Sequence, residues 1–215
     1  MNFVISSIEM LRRKWRVRLF VVGLRFLTAI SFIPSGLKKI FNLRFTSLSL
    51  DSSIGFFFEK LYSTGVFYQF LGWVQLFTAL LLMTQRFATL GALLFFCIIF
   101  NIWVITISLP FSGTWLVTSS LLLSSILLMA WDLRKFLFLL STDGKSYPKY
   151  RILKSYNKIW VYLGMLLFVI SVIYSCLVAF EFHTLFARWV AINIYIVSLL
   201  LGSYKEYHTK IDDFD

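Results

Sequence analysis

The sequence predicts an all-α integral membrane protein, in which a four-helix transmembrane bundle is followed by two further transmembrane helices. Of the 215 residues, 59% are hydrophobic and 14% are charged, whereas soluble domains average about 45–50% apolar and about 25% charged residues. Six apolar stretches recur along the chain, and each is close to the roughly 20 residues that a helix needs to cross the hydrocarbon core. Basic residues flank these stretches, which is typical of membrane proteins.

Residues 1–18 form a basic segment that we expect in the cytoplasm, and the first span covers Leu19–Ile40. Arg25 lies well inside this span, and Lys39 lies near its far end. Pro34 predicts a break or kink because proline removes a backbone donor. Gly36 should let a neighbouring helix approach closely.

The longest connection, residues 41–66, is expected to be an outer loop. Within it, Asp51, Ser52 and Ser53 predict the start of a short helix that ends near Gly65. Short turns separate the next three spans, which forces neighbouring helices to run antiparallel. We place these spans at Phe67–Met83, Phe87–Leu109 and Thr114–Trp131, so that residues 19–140 make up the four-span bundle.

The rest of the chain predicts a cytoplasmic linker, a two-helix extension and an acidic tail. The linker covers residues 141–158, the extension covers residues 159–204, and the tail covers residues 205–215. We place the last two spans at Ile159–Phe180 and Leu185–Tyr204. Six spans put both ends of the chain on one side, where fifteen of the 21 basic residues then lie, against five on the other. This imbalance predicts that both termini are cytoplasmic.

Arg25 is the residue of the first span that most needs an explanation. An arginine at the centre of a membrane costs about 2.5–3.5 kcal/mol on insertion scales, so it usually finds a partner, a water-filled cavity or a route to the interface. Our first interpretation is that Arg25 snorkels to the cytoplasmic headgroups. The alternatives are a structural contact with Asp132 or a backbone carbonyl, and a functional polar pocket.

The polar residues inside or beside the spans are the candidates for such an intramembrane pocket. Gln75 and Asn101 are uncharged amides, and amides in membrane bundles usually form hydrogen bonds between helices. The candidate set is Arg25, Lys39, Gln75, Asn101 and Asp132.

Other motifs give weaker indications. Three tryptophans could line a flat apolar ligand such as a quinone, but they fit interface anchors equally well: Trp103, Trp115 and Trp131. Cys97 and Cys176 are isolated, and His183 lies in a short outer loop whereas His208 lies in the tail on the other side, so the spacing predicts no metal site. The sequence contains no recognisable catalytic motif, and we expect no nucleic-acid binding.

Spans 1–4 resemble the DoxX family of bacterial membrane proteins over residues 22–140. The resemblance rests on Arg25 followed by FLTAISFIPSGLKKI, which includes a G-x-x-K pattern at Gly36 and Lys39. It continues through GWVQLFTALLLMTQRFATLGALLF and the pair Trp131-Asp132. The family implies a four-helix bundle, and family members often carry a glutamate where Gln75 stands here. That difference removes a charge partner for Arg25 or Lys39 and disfavours a buried ion pair at Arg25.

The family is named after a subunit of a thiosulfate:quinone oxidoreductase, and some members are linked to membrane redox or thiol-stress complexes. The resemblance therefore implies a non-catalytic or accessory component of a membrane complex, such as a redox complex, in the bacterial cytoplasmic (inner) membrane. Two alternatives remain open. One is a quinone-linked oxidoreductase subunit, and the other is a carrier or binder of a lipid or small apolar molecule. The expected partners are the lipid bilayer and another membrane protein subunit.

Overall fold

A computed structural model of the protein describes residues 7–8, 10–12, 14–109, 113–133, 135–136, 158–180, 192 and 194–203. All regular secondary structure within these ranges is helical. The helices are α1 (Trp15–Ile40), α2 (Ser53–Ser63), α3 (Val66–Met83), α4 (Ala88–Ser108), α5 (Thr114–Trp131), α6 (Lys158–Ala179) and the shorter α7 (Ile194–Ser203).

Five of these helices, namely α1, α3, α4, α5 and α6, are long and apolar enough to cross a membrane. They coincide with the first five predicted spans, which confirms an all-helical multi-pass architecture. The predicted sixth span, Leu185–Tyr204, is only partly covered by α7, because residues 185–191, 193 and 204 lie outside the described residues. The linker at residues 141–157 and the tail at residues 205–215 also lie outside them. Six spans and the sidedness of the termini remain predictions.

Helix α1 begins at Trp15, four residues before the predicted start, and continues to Ile40. Arg16 and Arg18 therefore belong to its first turns, where long basic side chains can reach out of an apolar environment. Pro34 lies inside the helix. The helix continues through this residue to Ile40. A break at the proline is therefore wrong, because the loss of one backbone donor does not end a helix that is packed along its length. The kink stays a prediction.

Helices α1 and α3 form the centre of the bundle. Helix α4 packs between α3 and α5, as the short connections predict, and α6 packs against α1 and α3. Gly36 and Gly72 allow the central contact: a Cβ built on Gly72 would lie 2.5 Å from the carbonyl oxygen of Gly36. The close approach that was predicted at Gly36 is confirmed, and it fixes the spacing of α1 and α3 where Lys39 and Gln75 face each other.

Helix α6 contributes to the same hydrophobic core as the first four spans. Trp160 and Leu167 are buried in that core, and the Trp160 ring lies 6.3 Å from the ring of Phe26. A Cβ on Gly164 would overlap the carbonyl oxygen of Met83. The α6 backbone therefore lies directly on the end of α3.

The two ends of the bundle differ in composition. We call the end that holds residues 10–12 and 14–18, the α3–α4 turn and the end of α5 the basic end. The opposite end, with residues 41–65, is the loop end. Its short helix α2 confirms the predicted one: Ser52 caps it by accepting a hydrogen bond from the Gly55 amide at 3.1 Å. Arg44 then holds Glu59 of α2 through two hydrogen bonds of 3.0 Å.

Candidate functional site

Asp132 is the centre of a polar cluster at the basic end. It lies directly after α5 and is 2% exposed. Its Oδ2 accepts hydrogen bonds from Arg25 Nη2 at 3.1 Å and from Thr89 Oγ1 at 2.9 Å. Its Oδ1 lies 3.1 Å from Lys135 Nζ and 3.4 Å from Arg12 Nη2. We call these residues, together with Gln85, the Asp132 cluster.

Arg25 is 7% exposed and points into the bundle. Besides the bond to Asp132, its Nη1 donates to Gln85 Oε1 at 3.0 Å. The interpretation that Arg25 snorkels to the headgroups is therefore wrong, because both Nη groups are held by buried acceptors inside the protein. Gln85 is fixed in turn: its Nε2 donates to Leu82 O at 3.1 Å, and its backbone has a φ of +58°. Few non-glycine residues adopt this left-handed conformation.

The cluster carries more positive than negative charge. Three cations, Arg12, Arg25 and Lys135, share one carboxylate. Burial raises the pKa of Asp132, but the charges of Arg25 and Lys135 and the hydrogen bonds from Lys135 and Thr89 outweigh it and leave the pKa below its ordinary value. Asp132 is therefore ionised at neutral pH and joins three helical segments and the N-terminal residues.

A second polar cluster, the Lys39 site, lies at the loop end between α1 and α3. Lys39 is 7% exposed. Its Nζ donates to Ser35 Oγ at 2.7 Å, to Ser35 O at 3.2 Å and to Gln75 Oε1 at 3.1 Å. The same ammonium lies 4.7 Å from the centre of the Phe45 ring and 5.9 Å from that of Tyr68. No carboxylate of the described residues forms a salt bridge with it.

The position of the Lys39 site follows from the contact between Gly36 and Gly72. Gln75 follows Gly72 by one helical turn, and Lys39 follows Gly36 in the same way, so the two side chains meet where the backbones are closest. Tyr68 closes the site, with its hydroxyl donating to Leu43 O at 2.9 Å. The arrangement stabilises one buried cation with neutral acceptors and aromatic faces.

The model of the DoxX family matches residues 20–108. Residues 20–108 are therefore similar to a DoxX domain. No curated protein and no solved structure matches the chain. DoxX is a membrane family, so the match and the five apolar helices together establish a multi-pass integral membrane protein.

The matched DoxX segment runs from α1 to the end of α4. It contains the whole α1–α3 contact and the Lys39 site, but it stops before Asp132. Within the segment, Arg25 and Lys39 lie on the same helix, about 21 Å apart along its axis at 1.5 Å per residue. The structure therefore brings Arg25 to Asp132 and Lys39 to Gln75, at opposite ends of the bundle, and not into one pocket.

Asn101 belongs to neither cluster. It lies on the exposed face of α4, and its Nδ2 donates to Cys97 O of the same helix at 2.9 Å. The tryptophans are also separate. Trp103 donates to Ser119 Oγ at 2.9 Å, Trp115 is exposed, and Trp131 lies beneath the guanidinium of Arg12.

Sequence reasoning missed several polar partners: Arg12, Ser35, Tyr68, Gln85 and Thr89. Gln85 and Thr89 could have been found, because Gln85 lies in the α3–α4 turn and Thr89 in the first turn of α4, at the end of the bundle where Arg25 enters. The aromatic faces over Lys39 depend on how residues 41–45 fold back, and no periodicity reveals that. Among the described residues, no three His, Cys, Asp or Glu side chains are grouped so that they could hold a metal ion.

Proposed function

We propose that this DoxX-domain protein is a non-catalytic accessory component of a complex in the bacterial cytoplasmic membrane, and that it joins the complex through the outer face of α4. The observation that carries this proposal is the position of Asn101. The family resemblance makes a redox complex the first candidate for the assembly.

The rotation of α4 is fixed by its contacts with α5. Trp103 Nε1 donates to Ser119 Oγ, and the hydroxyls of Thr106 and Thr118 lie 3.0 Å apart in a buried contact. These bonds hold one side of α4 against its neighbour. Asn101 lies on the other side, so a simple rotation of its side chain cannot bring the amide into the bundle.

Asn101 also lies deep in the membrane. It is seven residues before Ser108, or about 10 Å from the end of α4 at 1.5 Å per residue. Its hydrogen bond to Cys97 O uses one N–H group. An amide oxygen and a second N–H group then face hydrocarbon, where an unsatisfied polar group is costly. A helix of a neighbouring protein that offers a polar side chain would satisfy both groups.

The buried clusters support a non-catalytic function. The charged groups of the Asp132 cluster and the ammonium of Lys39 form their contacts with side chains and carbonyls of the same chain. Such contacts position helices relative to one another. They would keep the face of α4 rigid, which lowers the entropic cost of assembly.

The experiment is extraction of the full-length chain from its native membrane in a mild detergent, followed by measurement of the particle mass. We expect a complex larger than one chain, which Asn101→Leu dissociates. Tyr162→Leu is the matched control, because Tyr162 is an exposed polar residue on α6, away from α4. A wild-type chain that is monomeric both in the membrane and in detergent, or that catalyses a reaction alone, would refute the proposal.

A further inference from the structure

We infer that the face of α4 is covered by α4 of a second copy of this chain, in a parallel two-fold dimer that pairs Asn101 with the partner's Asn101. The inference rests on the proposed function, because it names a second copy of this chain as the neighbour that covers this surface within the complex. Three observations carry it: the spacing of the exposed residues, the absence of charge on α4, and the chemistry of the amide.

The exposed residues of α4 form a continuous stripe. Five of the seven exposed residues are spaced by seven, four, three and four positions, namely Leu90, Cys97, Asn101, Val104 and Ser108. The other two, Phe100 and Ile107, are exposed beside them. Alternating spacings of three and four are those of the contact positions in a left-handed helix pair. A single asparagine at such a position sets the register and favours two helices over larger assemblies.

The membrane restricts how two copies can meet. All copies insert with the same sidedness, so a two-fold axis that relates two of them runs along the membrane normal. The two α4 helices are then parallel, and each residue lies at the depth of its own equivalent. Asn101 can therefore face only the partner's Asn101 at its depth on the stripe.

The chemistry of the face fits a second copy. A carboxamide offers both an acceptor and donors, so two asparagines at the same depth satisfy each other. Helix α4 contains no charged residue, and no charge selects a different partner. The contact positions beside Asn101 include Cys97 and Val104, whose modest size lets two helices approach closely.

Cys97 provides a probe at this interface without any engineered residue. It lies on the stripe one turn before Asn101, and it is a free thiol, like Cys176 on α6. In a parallel dimer, Cys97 faces the partner's Cys97, where helix axes 8–10 Å apart place small residues within reach of cross-linking. The experiment is oxidation with copper phenanthroline in native membranes, using the Cys176→Ser variant of the full-length chain.

We expect a covalent adduct of twice the mass of the chain. Asn101→Leu should reduce its yield about five-fold, because an interhelical amide contact contributes about 1 kcal/mol in a membrane and 1.4 kcal/mol corresponds to a factor of ten. Asn101→Gln keeps an amide and should retain more of the adduct. The Cys97→Ser variant, which keeps only Cys176, should give none.

The possible failures are distinguishable. An adduct between Cys97 and a different protein would overturn the second-copy inference and leave the proposed function standing. A wild-type chain that gives no adduct and migrates as a monomer would overturn both. An adduct of unchanged yield in Asn101→Leu would show that the asparagine does not determine the contact, and it would also overturn the inference.

Discussion

Asp132 determines the charge balance of the basic end, because one carboxylate there serves three cations. We expect Asp132→Asn to lower the free energy of unfolding by about 3–5 kcal/mol, the usual cost of leaving buried charges without their partner. Arg25→Gln should cost less, because Asp132 keeps Lys135, Arg12 and the hydroxyl of Thr89. Thermal unfolding of both variants in the same detergent measures the difference. If Arg25→Gln lowered the free energy of unfolding as much as Asp132→Asn, or more, Asp132 would not be the centre of the cluster.

The lowered pKa of Asp132 links stability to acid pH. A carboxylate with a folded pKa below its unfolded value stabilises the protein above the unfolded pKa, and that contribution is lost as the pH falls through the folded pKa. We therefore expect the contribution to be constant between neutral pH and about pH 5, to begin to fall near about pH 4, and to be lost as the pH falls through the lowered folded pKa. Unfolding curves at several pH values, with Asp132→Asn as the reference, isolate it. A wild-type curve parallel to that of the variant would refute the assignment.

Lys39 is a buried cation with neutral acceptors, and Gln75 supplies one of them at 3.1 Å. We expect Gln75→Glu to stabilise the protein by about 1 kcal/mol, because a carboxylate would sit where the ammonium already donates. Gln75→Leu should destabilise it by about 1–3 kcal/mol by removing a buried acceptor. Thermal unfolding tests both, and the double variant Lys39→Met/Gln75→Leu should recover part of the loss. Destabilisation by Gln75→Glu would show that Lys39 is neutral.

At the scale of single residues, sequence reasoning predicted part of the contacts of Arg25 and Gln75. It named Asp132 as a partner for Arg25 because both enter from the same end of the bundle, yet it preferred snorkelling. The preference was wrong because the length and flexibility of arginine allow either outcome, and only the packed positions of α1 and α5 decide between them. The glutamine in place of a common glutamate was expected to affect Arg25 or Lys39, and Gln75 contacts Lys39. The inference that it disfavours a buried ion pair at Arg25 is wrong, because Arg25 pairs with Asp132.

At the scale of elements, the contact between α1 and α3 depends on two glycines. A Cβ on Gly72 would lie 2.5 Å from Gly36 O and 2.9 Å from Ile40 N, so the backbones must separate to admit it. We expect Gly72→Ala to lower the free energy of unfolding by about 1–3 kcal/mol, the typical cost of overpacking. Gly23→Ala is the control on α1, because nothing lies within 4 Å of its built Cβ. Thermal unfolding in detergent compares the free energies of unfolding of Gly72→Ala and Gly23→Ala. Equal losses would mean that α1 and α3 are not closely packed at Gly72.

The helices themselves were the most predictable elements, because each needs only an apolar stretch of sufficient length. Short turns then fixed α3, α4 and α5 as antiparallel neighbours. The direction in which α4 faces was not predictable. Asn101 was expected to bond across helices within the bundle, but Trp103 and Thr106 turn the opposite side of α4 toward α5. Side-chain pairs between two helices select that rotation, and a nearly uniform apolar sequence carries little trace of it.

For the whole molecule, the distribution of charge predicts how the protein sits in the membrane. Among the described residues, the basic end exposes Lys14, Arg16, Arg86 and Lys135. The loop end exposes Arg44 and Lys60, and Glu59 neutralises Arg44. Since positive residues near span ends are retained in the cytoplasm, the basic end should be cytoplasmic and α2 should lie on the outer surface.

Single cysteines at the two ends test this orientation, in a background that carries Cys97→Ser and Cys176→Ser. Lys60→Cys places a thiol on exposed α2, and Lys14→Cys places one at the basic end. A thiol reagent that cannot cross membranes should label intact cells at Lys60→Cys only, and it should label Lys14→Cys once the cells are opened. The reverse labelling pattern would show that the basic end lies on the outer side of the membrane. It would also place the excess cations of the Asp132 cluster on the outer side, where the positive-inside rule does not favour them.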